Sequence, residues 1–110
     1  MLTEQTSTRP CPRLDLAAPD VDEVTALAAL LADRTRAGIL ALLRDGPHCV
    51  CEFAATFGER ENNVSNHLTK LRAAGLVRAS RHGVDARLVY YERDEKAIAA
   101  ARSTLLEVLG

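Results

Sequence analysis

The chain has 110 residues with 47% apolar and 26% charged side chains, three cysteines and a net charge of −1. That length fits one small domain, which hides only about two-thirds of its unfolded surface and would gain from a second copy. No apolar run nears the roughly 20 residues that span a bilayer and no basic-then-apolar leader opens the chain, which points to the cytoplasm. An enzyme is not expected, because no Ser/His/Asp or Cys/His set and no phosphate-cradling glycine loop occurs.

Residues 1–19 hold Pro10, Pro12 and Pro19 among scattered polar residues without a period, and read as a flexible arm carrying Cys11. Residues 20–110 form the remaining domain. Asp20 is placed to cap a helix reaching about Ala32, with Val21, Val24, Leu27, Ala28 and Leu31 on one face. Asp33 starts a second helix in which Ile39, Leu40, Leu42 and Leu43 are core, and Gly46-Pro47 ends it. A short apolar helix, Glu52 to Phe57, begins beside Cys49 and Cys51, and Gly58 can take the positive φ that closes it.

After the polar turn Glu59-Arg60-Glu61, a helix runs from about Asn62 to Ala74, where Gly75 stops it. Val64, Leu68 and Leu71 recur at i, i+4 and i+7 and make one buried stripe. The faces left to solvent carry Asn62, Asn63, Ser65, Asn66, Lys70 and Arg72. A short helix, a glycine turn and a longer, amide-rich helix read as a helix-turn-helix.

From Leu76 to Arg93 the period changes. Val77 and Ala79 lead into a polar tip from Arg81 to Asp85, and Leu88, Val89, Tyr90 and Tyr91 return, which predicts a β-hairpin, the wing of a winged helix. Asp94 to Leu109 is a last helix with Ile98, Ala101, Leu105, Val108 and Leu109 along one side, a stripe suited to a partner. The fold class is therefore mainly α with a β-hairpin.

Charge is unevenly placed. Between Arg60 and Arg93 seven Lys/Arg face three acids, leaving seven basic and twelve acidic residues elsewhere. This puts a positive surface over the longer helix and the hairpin, as double-stranded DNA requires. Asn62, Asn63, Ser65 and Asn66 suit base edges, and Lys70, Arg72, Arg78, Arg81 and Arg87 suit phosphates.

The thiols carry the other chemistry. In a regular helix, residues two apart point about 200° apart, so Cys49 and Cys51 can chelate one ion only where the backbone is not fully helical. An ion held there would fix or distort the start of the first helix of the pair. A trigonal site needs a third sulfur, and Cys11 is the remaining thiol. Three sulfurs suit As(III) or Sb(III), and also Pb(II) or Bi(III); Cd(II) and Zn(II) want a fourth ligand such as water, a carboxylate or His48. The same spacing also fits two small buried apolar side chains, or a thiol pair that Cys11 joins on oxidation.

The run CVCE followed by NVSNHLTKLRAAGLV resembles the ArsR/SmtB family of metal- and metalloid-sensing repressors, which carry a CVC-type motif beside a VSxHLxxLxxAGLV-like helix. The similarity extends back over LAALLADRTRAGILALL and forward to LVYYERD, covering roughly residues 20 to 110. The resemblance implies a winged helix-turn-helix homodimer, paired through its first and last helices, that sits on a roughly palindromic operator and leaves it when a thiophilic ion binds. As(III) or Sb(III) is favoured, with Cd(II) or Pb(II) next, and Cys11 is expected from the other protomer's arm. His67 matches the family's His in SxHL and is assigned to packing or DNA contact.

Two departures stand out: the hairpin tip is longer than the family's short Gly-Arg turn, and Lys96 stands where a second type of site would place His. The alternatives are a redox-driven repressor of the same fold and a thiol metal buffer that does not touch DNA.

Overall fold

The structure, a computed structural model, describes residues 10–16, 21–80 and 87–110. Helices α1 (Val21–Leu31) and α2 (Arg34–Leu42) are followed by a single 3₁₀ turn, Leu43–Asp45. Strand β1 (His48–Cys49) runs directly into α3 (Val50–Phe57), and α4 (Glu61–Ala73) follows. Strands β2 (Val77–Ala79) and β3 (Tyr90–Arg93) and the terminal helix α5 (Glu95–Leu109) complete the chain. The expected helices are present, with ends displaced by a residue or two. The hairpin strands are present as well; the tip, with Arg81 and His82, lies outside the described residues, as do Asp20 and most of the expected arm. Residues 10–16, the described part of that arm, are exposed and carry no regular structure.

Two ends are set by side-chain caps. Asp33 is extended and its carboxylate accepts the Arg36 amide at 3.0 Å; Asp94 does the same for Ala97 at 3.0 Å. These amide bonds hold both carboxyls below their ordinary range. The stability they add is present above that range and is lost as pH falls from it through the lowered folded values.

One element was not foreseen. β1 pairs antiparallel with β3, with His48 opposite Tyr91 and Cys49 opposite Tyr90. The hairpin is therefore a three-stranded sheet in the order β1-β3-β2. Two residues carry no readable alternation, so nothing in the sequence announced this strand. It also moves the start of α3 from Glu52 back to Val50.

The core is a single cluster. Phe53 of α3, Ile39 of α2 and Val64, Leu68 and Leu71 of α4 are its largest fully buried side chains, joined by Leu43, Ala54, Leu76 and Val77. Leu40 and Leu42, expected in the core, are only partly buried at its margin. The α4 stripe is thus spent on α2 and α3, and the rest of that helix is left to solvent. By contrast, α1 buries no residue completely, and Leu106, Val108 and Leu109 of α5 are 57%, 42% and 78% exposed. Among the described residues no helix is long and apolar enough to cross a membrane.

α2 and α3 approach closely at Gly38. A Cβ there would lie 2.6 Å from Phe57 Cζ and 2.7 Å from Cε1. Gly38→Ala should therefore destabilise by about 1–3 kcal/mol in urea unfolding through overpacking, even though alanine is the better helix former by about 1 kcal/mol. Adding Phe57→Leu should recover part of that loss; a stabilised Gly38→Ala would show that Phe57 simply swings away.

Candidate nucleic-acid interface and thiol pair

The helix-turn-helix is built from α3, a tight turn and α4. Gly58 takes the left-handed conformation (φ 65°, ψ 35°) that ends α3, a backbone only glycine adopts without strain. The turn is then tied down: the Thr35 hydroxyl of α2 donates to the Glu59 carboxylate. With Val64, Leu68 and Leu71 buried, helical geometry leaves Asn62, Asn63, Ser65, Asn66, Lys70 and Arg72 exposed. The amides expected to meet DNA thus share one element with Lys70 and Arg72 and stay open to solvent.

Not every basic residue is equally available. Arg78 donates to Glu92 at 2.9 Å and lies 3.3 Å from Asp94, and Glu92 above all raises its pKa. Its charge is largely matched within the sheet. Arg87 is exposed, and Arg81 lies outside the described residues.

His67 is placed differently from its neighbours. Its side chain is 18% exposed and turned towards α2, with Nδ1 3.1 Å from an Arg36 terminal nitrogen and Nε2 3.9 Å from Asp33 Oδ1. The Arg36 guanidinium reaches further, donating to the carbonyl of Leu30 at 2.6 Å and of Ala29 at 3.4 Å, at the end of α1. Arg36 was not singled out from the sequence, because its contact with His67 spans 31 positions without a periodic signal.

At the other end of α3 the two thiols meet. Cys49 is extended (φ −101°, ψ 168°) and buried, Cys51 is in the first turn and exposed, and their sulfurs are 2.8 Å apart. The local backbone is therefore of the partly non-helical kind that lets a Cys-x-Cys pair converge. The Glu52 carboxylate accepts the Cys49 amide at 2.9 Å and is held below its ordinary range chiefly by that bond. His48 Nδ1 sits 3.4 Å from the same carboxylate, and its ring meets Phe53 edge-on at 5.9 Å.

Burial first, then the hydrogen bond to Cys51, pushes the Cys49 thiol up to about 11. It is protonated at neutral pH, and any ion bound there must displace that proton. Cys11 is exposed, and among the described residues no three His, Cys, Asp or Glu side chains gather in a metal-binding cluster. One chain therefore presents a two-sulfur site.

Brief treatment with iodoacetamide at pH 7 should alkylate Cys11 and Cys51 well before Cys49, read by peptide mass mapping. Cys49 reacting first would contradict the burial and raised pKa described for it.

Comparison with known proteins bears on both halves of this site. Residues 33–79, from the α2 cap through β2, match the arsR family of bacterial regulatory proteins. The HTH-type transcriptional regulator CmtR of Mycobacterium tuberculosis is 42% identical over 83 residues, 76% of this chain and 68% of that protein. The arsenical resistance operon repressor of Escherichia coli is 38% identical over 58 residues, 52% of this chain and 50% of the relative. Among solved structures, a possible transcriptional regulator for arsenical resistance superposes with a TM-score of 0.63 at 30% identity, over 77% of this chain and 81% of the other.

Proposed function

Since this chain belongs to the arsR family of bacterial regulatory proteins, a family of transcription regulators and not of enzymes, we propose that it is a cytoplasmic homodimeric repressor that leaves its operator when a thiophilic ion engages Cys49 and Cys51, with Cys11 of the partner subunit as third ligand. The observation that carries this reading is the 2.8 Å approach of the two sulfurs at the junction of β1 and α3. Two soft donors so placed fit a soft ion better than a hard one.

The chain's own residues supply the link to DNA. Cys49 is paired with Tyr90 of β3 and begins α3, so a change in its backbone is felt by both the sheet and the first helix of the helix-turn-helix. A bound ion supplies sulfur–ion bonds that favour one backbone arrangement over another. Cys49 must give up its proton for this, and α3 carries the change to α4 through Phe53 and Val64 in the shared core. A difference of a few kcal/mol empties an operator, since each ~1.4 kcal/mol is tenfold, and DNA weakens ion binding by the same factor.

Asn62, Asn63, Ser65 and Asn66 read bases in this proposal, and Lys70, Arg72, Arg81 and Arg87 hold phosphates. Three thiolates favour As(III) or Sb(III), a reading that the arsenical resistance repressor among the relatives supports; Cd(II) or Pb(II) would add a fourth ligand. Leu27 and Ile98 pack against the core, and the apolar residues that α1 and α5 leave exposed, Val21, Leu106, Val108 and Leu109, supply the dimer contact. The closeness of the two sulfurs also favours a second reading, in which oxidation of the thiols drives the same release.

The test uses a duplex selected from a random library by the reduced protein. Arsenite should release this duplex at near one equivalent per site in fluorescence anisotropy, and both Cys49→Ser and Cys11→Ser should keep DNA binding but lose the response. Release by Cd(II) or Pb(II) alone would reassign the ion, and release by oxidant without any ion would favour the second reading. Within the interface, Asn66→Ala should relax sequence preference, whereas Lys70→Ala should weaken all duplexes alike and lower the salt slope by about one. Equal behaviour of the two variants would defeat this division of roles.

A further inference from the structure

We propose that Arg36, acting through His67, is a positioning residue that fixes the recognition helix α4 against the end of α1 and so sets the spacing of half-sites that the protein accepts. The inference rests on the DNA-binding reading above.

The geometry is specific. An arginine can only donate, so the 3.1 Å contact makes His67 Nδ1 the acceptor and leaves the ring proton on Nε2, facing Asp33 at 3.9 Å. The same guanidinium donates to the Leu30 carbonyl in the last turn of α1, and at longer range to the Ala29 carbonyl, which also accepts the Ala32 amide at 3.3 Å. A cation at that point also complements the negative end of the helix dipole. Asp33 completes the set by capping α2 through the Arg36 amide. One side chain thus joins three helices, and its fork shape leaves little freedom in the angle between them.

His67 lies on α4 beside the exposed amides but is aimed the other way. Asn66 and Lys70 stay at the surface while His67 is turned to α2. It therefore acts on DNA through the pose of its helix. α1 belongs to the surface proposed for dimer contact, so its link to α4 relates each recognition helix to the two-fold axis. That relation is what dictates half-site separation in helix-turn-helix dimers.

The deciding variants change the acceptor without emptying the site. His67→Asn keeps an oxygen acceptor near the position of Nδ1, whereas His67→Leu keeps bulk and removes the acceptor. Each is measured against the selected duplex and against duplexes with one base pair added or removed between half-sites, with thermal melting in parallel. His67→Leu should lose about tenfold or more in affinity and prefer the parental spacing less, because α4 is then no longer held at one angle. His67→Asn should stay within a few-fold of the parent and keep the spacing preference, and both variants should melt close to it.

If His67→Leu binds and discriminates like the parent, the inference is wrong. If His67→Asn fails as badly as His67→Leu, the ring itself touches DNA and the positioning role is overturned. If affinity merely follows melting temperature, Arg36 and His67 hold the fold and no more. A parent that selects no duplex defeats the DNA-binding reading, and the inference with it.

Discussion

An extended backbone at Cys49 lets one residue serve the sheet, a helix and the thiol site together. Its dihedral angles keep it in register with Tyr90, its amide is taken by Glu52 to open α3, and its sulfur is turned to Cys51. A helical Cys49 would break all three, because residues two apart on a helix face away from each other and offer nothing to a neighbouring strand. The burial of Phe53, four residues on, then holds α3 against α2 and α4. Thiol pair and recognition helix are therefore connected through packed, hydrogen-bonded structure and not through a loop.

Electrostatics is more local than a charge count suggests. The excess of basic residues between Arg60 and Arg93 is real, but part of it is answered inside the fold. Arg78 is matched by Glu92 and Asp94, and Arg93 lies against Glu95. What remains open towards a phosphate backbone on α4 is Lys70 and Arg72, beside a row of neutral amides. In the proposed function such a surface would attract DNA modestly and leave the amides to discriminate sequence.

Much of this was legible from the chain because helices of this length announce themselves by period. The stripe of Val64, Leu68 and Leu71, the helix starts at Asp33 and Asp94 and the glycine after Phe57 each leave a local mark, and each is found in place, with the two aspartates acting as caps. The exposed amides of α4 followed from the same stripe. β1 was not legible, since two residues have no alternation and their partner lies more than forty positions away. The pairing of Arg36 with His67 was hidden for the same reason: it is tertiary, and the sequence shows two polar residues on separate helices. Local pattern also could not show that Arg78 is internally paired.

The partly exposed apolar faces of α1 and α5 have a bearing on how much of the protein a cell must hold. A helix whose apolar side is only partly covered draws less stability from packing, and anything that binds only the folded form shifts the folding balance by mass action. When the binder is another copy of the same chain, folding becomes a function of abundance. Dilution would then loosen α1, and with it the carbonyls that Arg36 holds, before it reached the core around Phe53. A sparse population would be both less assembled and less ordered, so expression level itself would tune how sharply the population answers its signal.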